Sequence, residues 1–253
     1  MSTCVVFVCN KNYFYKFVNT CSQLVTNGKY SGDICLVIGD DLMDDQLLNH
    51  PIIADNRVQI KHFPDITFPP NWINVNRSLV TTNGGNITKM FQWHKLHLFN
   101  TWFRKWNFMF YIDCGITIFS DINPILNSKK EGKLLAHSDA YPSYVWKLHT
   151  QFEHMDPYFA DMRSKYSLDI DYFQTTIMLF DTFILQDDTF YKLYNLSLQY
   201  PISRSNDQGI IALYFTNTYP VWQQIQVDDD DDTMYYDYNR RDLTKKYIML
   251  KML

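Results

Sequence analysis

Two short, nearly unbroken apolar runs open the chain and restrict what it can become. They are CVVFVC (residues 4–9) and the run inside DICLVIGDDL (residues 33–42). Neither alternates polar with apolar residues, which is the pattern of strands covered on both faces in parallel α/β sheets. Between them Phe14, Phe17, Val18, Cys21, Leu24 and Val25 recur at helical spacing, and Asn27-Gly28 supplies a stop. The chain therefore opens β-α-β, with a right-handed crossover expected.

The pattern continues. VQIKHF (58–63) reads as a third strand, and residues 64–86, rich in Pro, Asn and Thr, as a long loop. Residues 87–106 predict a helix with Trp93, Leu96, Phe99, Trp102, Phe103 and Trp106 as its buried stripe. FMFYID (108–113) is the next strand, and ITIFSDINPIL continues outward from its end. KLLAHSDA (133–140) and DYFQTTIMLFDT (171–182) read as strands, residues 189–200 and 205–215 as helices. The last 30 residues, with DDDDD, MYYDYNRR and KKYIMLKML, take no element from this reading. With no linker or repeat, one α/β domain over residues 1–253 is expected.

Hydrophobic residues make up 46% of the chain, which excludes a mainly disordered protein. A net charge of −4 makes nucleic acid a poor partner. The first ten residues lack a signal-peptide pattern, and no run of 18 apolar residues predicts a membrane span. Five cysteines without a C-x-x-C pair predict reduced, buried thiols and a cytoplasmic location. A Walker loop, a G-x-G-x-x-G and a G-x-S-x-G are all missing.

One carboxylate stands out. Asp113 ends FMFYID, and the small Cys114 and Gly115 follow it. In open α/β sheets ligands sit at the carboxyl ends of strands. An ionised Asp there must be paired, hydrogen-bonded or metal-bound; a turn-capping Asp fits the same stretch. His94 and His97 lie three apart, without a partner at zinc spacing, and His97 is expected to pack.

The residues around Asp113 carry a resemblance. KLHLFNTWFRKWNFMFYIDCGITIFSDINPIL resembles the central motif of the glycogenin-like retaining glycosyltransferases of family 8, with Lys95, Leu96 and His97 on the helix and Asp113 as first motif Asp. VFVCNKNYFYKFVNTCSQL is similar to their nucleotide-binding first strand and helix, and contributes Phe7, Cys9, Asn10 and Tyr13. YFQTTIMLFDT is similar to a further family strand, with Gln174 where Asn is usual. NDQGIIALYF matches a family helix through Asp207 and Gln208. The four motifs fall in family order over roughly residues 4–216, leaving 217–253 divergent.

The resemblance implies a GT-A, Rossmann-like fold with a central, mostly parallel mixed sheet flanked by helices. It implies transfer of a hexose, with retention, from a UDP-sugar to a hydroxyl acceptor such as a glycan. It implies Mn²⁺ or Mg²⁺, held by Asp113 and bridging the diphosphate. Asn10 and Tyr13 would hold the base, Lys95 the phosphate or sugar, and Phe7, Cys9, Cys114 and Gly115 the rest of the donor. Gln174, Asp139, Asp207 and Gln208 would surround the transferred sugar. A homo-oligomer is left open.

Two departures from the family pattern matter. Asp113-Cys114-Gly115 lacks the second motif carboxylate, and no histidine follows His154. Either Asp113, the diphosphate and water hold the metal, or a carboxylate from Asp228 to Asp232 replaces the lost one, or cations such as Arg240, Arg241, Lys245 and Lys246 neutralise the phosphates without metal. A degenerate nucleotide- or glycan-binding module and a scaffold protein are the rival readings.

Overall fold

The structure, a computed structural model, describes residues 1–56, 58–77, 87–228, 232–238 and 244–251. The apolar opening forms β1 (Thr3–Cys9), α1 (Phe14–Thr26) and β2 (Asp33–Ile38), with β1 and β2 parallel. The central sheet adds β3 (Gln59–His62), β4 (Phe108–Ile112), β6 (Leu134–Ala136), β7 (Ile177–Asp181) and β8 (Trp222–Gln224) in the order β3-β2-β1-β4-β7-β6-β8. Only β7 runs against the others. A second, three-stranded sheet joins β5 (Ile116–Ile118), β10 (Lys246–Lys251) and β9 (Thr233–Tyr238) in that order.

The central sheet is covered on both faces, as unbroken apolar strands require. Along β1, Cys4, Val6 and Val8 enter one core, and Val5, Phe7 and Cys9 enter the other. Burying a side chain such as Phe7 contributes about 1.5–3 kcal/mol. All five cysteines are buried free thiols.

Three segments differ from expectation. Residues 64–86 are not all loop: Pro70–Arg77 is helical, Pro at its first position suiting a helix start, and Trp72 is buried on it. The helix expected over 87–106 is wound as two 3₁₀ segments, Ile87–Phe99 and Thr101–Lys105, broken where Asn100 caps the second by accepting from the Trp102 N–H. Every residue from Trp93 to Phe99 is buried, so this segment is packed on all sides instead of along one stripe. The segment that follows β4 leaves the central sheet and starts the second one, which residues 233–251 complete.

Candidate functional site

The Asp113 turn is held from α1. Thr20, Gln23 and Asn27 form a polar stripe beside the buried one. The Thr20 hydroxyl donates to the Ile116 carbonyl (2.9 Å) and accepts from the Gly115 N–H (3.0 Å). The Gln23 Oε1 accepts from the Ile118 N–H and the Asn27 amide donates to the Ile118 carbonyl, each at 2.9 Å. Gly115 has φ +90°, a conformation that side-chain-bearing residues rarely adopt, so a second motif carboxylate there would be strained.

Asp113 follows β4 and lines a cleft of about 970 Å³ at the carboxyl ends of β1 and β4. Its side chain is 19% exposed. Its Oδ1 accepts from the Tyr111 hydroxyl and lies 3.1 Å from Lys95 Nζ; its Oδ2 lies 3.5 Å from Lys251 Nζ. Lys95 Nζ also lies 3.6 Å from Asp207 Oδ2 and donates to the Thr175 carbonyl at 3.3 Å. Lys251 Nζ donates to the Cys114 carbonyl at 3.2 Å.

The electrostatics follow from these partners. Burial opposes the Lys95 charge, but Asp113 and Asp207 outweigh it and hold the ammonium above its ordinary value. Burial likewise would raise Asp113; the Lys95 and Lys251 charges and the Tyr111 hydroxyl outweigh it and hold the carboxyl below the usual range. Asp207 is deeper and burial wins: its carboxyl is raised despite Lys95 and the Thr175 hydroxyl bond of 2.8 Å. Burial and the Asp113 charge push the Tyr111 phenol well up, so it remains a donor.

A second polar group adjoins the first. Asp139 accepts from the Gln174 amide and from Gln208 Nε2 (3.0 Å), and Gln208 also donates to Gln151 Oε1 (2.9 Å). Gln174 Oε1 accepts from the Thr176 hydroxyl at 3.0 Å, and Thr176 meets the Tyr236 hydroxyl at 2.7 Å. At the other end of the cleft Asn10 accepts from the Tyr13 N–H (3.2 Å), and Lys16 lies over the Tyr13 ring, 4.8 Å from its centroid.

The cleft thus gathers Asn10, Tyr13, Lys95, Asp113, Cys114, Gly115, Asp139, Gln174, Asp207 and Gln208. Phe7 and Cys9 are corrections. Both are buried in the core beneath α1, Phe7 edge-on to Phe17, and the strand's alternation turns Val8 toward the cleft instead. His94 and His97 pack, His97 between the rings of Phe63 and Phe190. Tyr235 and Tyr236 are buried, while Tyr238 lines the cleft. Sequence reasoning missed Lys16, Tyr111, Trp146 and Lys251. For Lys251 a signal existed: YIML bounded by lysines is a short buried strand with polar ends.

The donor set does not fit a divalent ion. Both oxygens of Asp113 already face cations, and an ion on Oδ2 would have to share it with the ammonium of Lys251, 3.5 Å away. Among the described residues, His, Cys, Asp and Glu form no group of three that could hold a metal. Of the alternatives expected from sequence, Arg240, Arg241 and Asp229 to Asp231 lie outside the described residues. Lys245 pairs with Asp232, and Lys246 begins β10, at the opposite end from Lys251.

No family model and no curated protein matches the sequence. Solved structures do. The glycosyltransferase GlyE of Streptococcus pneumoniae TIGR4 superposes with a TM-score of 0.57 at 13% identity over 89% of this chain, which spans 45% of GlyE. An active-site mutant of LgtC gives 0.59 at 13% over 92% of this chain and 75% of its own. Mouse xyloside xylosyltransferase 1 gives 0.54 at 8% over 98% of this chain and 96% of its own. The chain spans less than half the length of GlyE and most of the length of the other two. With its mostly parallel central sheet flanked by helices and a charged cleft at the strand ends, this chain has the GT-A fold of the glycosyltransferases.

Proposed function

We propose that the cleft transfers a hexose from a UDP-sugar to a hydroxyl of a glycan acceptor, with retention of anomeric configuration. The observation that carries this reading is the Lys95–Asp113–Lys251 cluster at the strand ends of a GT-A fold, facing a cleft large enough for a nucleotide sugar. Asn10 and Tyr13 border the end suited to the base. The Asp139, Gln174 and Gln208 group offers donors and acceptors for sugar hydroxyls. Trp146, 53% exposed on the cleft lining, offers an aromatic face to an acceptor ring.

In the reaction the bond from the sugar's anomeric carbon to the β-phosphate oxygen breaks, and the acceptor oxygen bonds to that carbon. The acceptor proton passes to the departing phosphate, so no protein base is required. The protein's part is to neutralise the growing diphosphate charge and to orient the two sugars.

UDP release from a panel of UDP-sugars, with GDP-mannose alongside, tests the reading. Release from at least one donor is expected, falling about 100-fold or more in Asp113→Asn, because Lys95 and Lys251 lose the charge that positions them. Undiminished release in that variant, or no release and no nucleotide binding in the wild type, would overturn it. The second reading, a nucleotide-binding module without turnover, is favoured by the lost motif carboxylate; it predicts UDP binding with no release.

A further inference from the structure

The second sheet brings a cation to the place where the sequence lacks an acid. β10 pairs with β5 so that Lys251 stands opposite Ile116, next to Gly115. Its Nζ lies 3.9 Å from where a Cβ on Gly115 would be, 3.2 Å from the Cys114 carbonyl and 3.5 Å from Asp113 Oδ2. An ammonium has three N–H donors, and the described residues offer this one two acceptors. Lys95, by contrast, is held between two carboxylates and a carbonyl. The side chain of Lys251 is 19% exposed and on the cleft lining, so its charge can meet a ligand.

Charge decides what that ligand is. Lys95 and Lys251 balance Asp113 and Asp207; of the other charged residues on the lining, Lys16 and Arg204 are positive and Asp139, held by the amides of Gln174 and Gln208, is negative. An anionic diphosphate suits this set; a divalent cation would have to share one carboxylate with an ammonium already resting on it.

We propose that Lys251 binds the donor's diphosphate directly and that the site works without a divalent metal, the ammonium standing where a metal ion would otherwise be needed. The inference rests on the nucleotide-sugar reading above. Lys251 is a diphosphate ligand here, and Asp113 positions it.

Calorimetric titration of the full chain with UDP and with uridine, in EDTA and then in Mn²⁺, tests it. The wild type is expected to bind UDP in EDTA, with a Kd within about twofold of that in Mn²⁺. Lys251→Met is expected to weaken UDP about 10–100-fold, the range of one charge-assisted hydrogen bond, while uridine binding stays within about twofold. Lys251→Arg, which keeps the charge, is expected to recover most of the loss. A thermal melt confirms that each variant is folded. UDP binding that appears only with Mn²⁺, or that survives Lys251→Met, would overturn this inference and leave the transfer reading standing. No UDP binding under either condition would overturn both.

Discussion

Gln208 joins three parts of the cleft with one amide. Its Nε2 donates to Asp139 and Gln151, and its Oε1 accepts from the Thr175 N–H at 3.3 Å. Gln208→Glu replaces that donor with a carboxylate facing Asp139, and two carboxylates at hydrogen-bond distance repel. Sugar placement should fail while the diphosphate end is untouched. The expected result is a kcat about 100-fold lower with UDP affinity within about threefold, read by UDP release and calorimetry. Equal losses in both would place Gln208 at the nucleotide instead. At this scale the sequence shows residue types better than directions. Asp113 was legible because one carboxylate between apolar runs stands out, while Lys95 and Gln208 were pointed to only by the family resemblance. Phe7 and Cys9 were misplaced because a strand apolar on both faces carries no alternation to tell which side meets the ligand.

Among the elements, the 3₁₀ segment Ile87–Phe99 carries Lys95 into the site and buries two histidines to do so. Burial pushes His94 down to about 4 and His97 to about 3. The unfolded chain takes up those protons near pH 6.5, while the folded chain does not. Protonation therefore favours unfolding: stability is complete above about pH 6.5 and falls as pH drops toward 4, by up to about 1.4 kcal/mol per pH unit for each histidine. His97→Gln keeps an N–H for the Pro64 carbonyl that His97 Nε2 meets at 3.1 Å, but removes one titration. Urea unfolding at pH 7, 6 and 5 should show a shallower decline in the variant; parallel declines would refute the assignment. On α1, Thr20→Val removes one donated and one accepted bond at the Asp-Cys-Gly turn and should cost about 1–3 kcal/mol by the same measurement. The helical period of α1 was readable because only one face is apolar. The winding of 87–105 was not, since a segment buried on every side has no periodic signal.

Across the whole molecule, the cleft is finished by residues more than a hundred positions apart. Lys251 reaches the Cys114 carbonyl across 137 residues of sequence, and the strand that bears it lies between β5 and β9. Patterning gave the β-α-β opening and the sheet's long strands. It left the second sheet unseen, because β5 is three residues long and β9 and β10 adjoin charged runs that read as loop. Removing residues 244–253 should separate the two roles of this sheet. The deletion takes away the buried Tyr247, Ile248, Met249 and Leu250, of which Ile248 and Met249 belong to the core beneath α1. At about 1.5–3 kcal/mol for each, and roughly 2–4 °C per kcal/mol at this size, Tm should fall by about 10 °C or more and UDP binding should be lost with it. Lys251→Met should weaken UDP binding about 10–100-fold while lowering Tm by less than the truncation does, since the largely buried Asp113 keeps Lys95 and the Tyr111 hydroxyl as partners. A truncated chain that melts like the wild type would show that β10 is not part of the core. A Lys251→Met variant that melts as early as the truncation would show that the lysine's role is to hold the fold and not to hold phosphate.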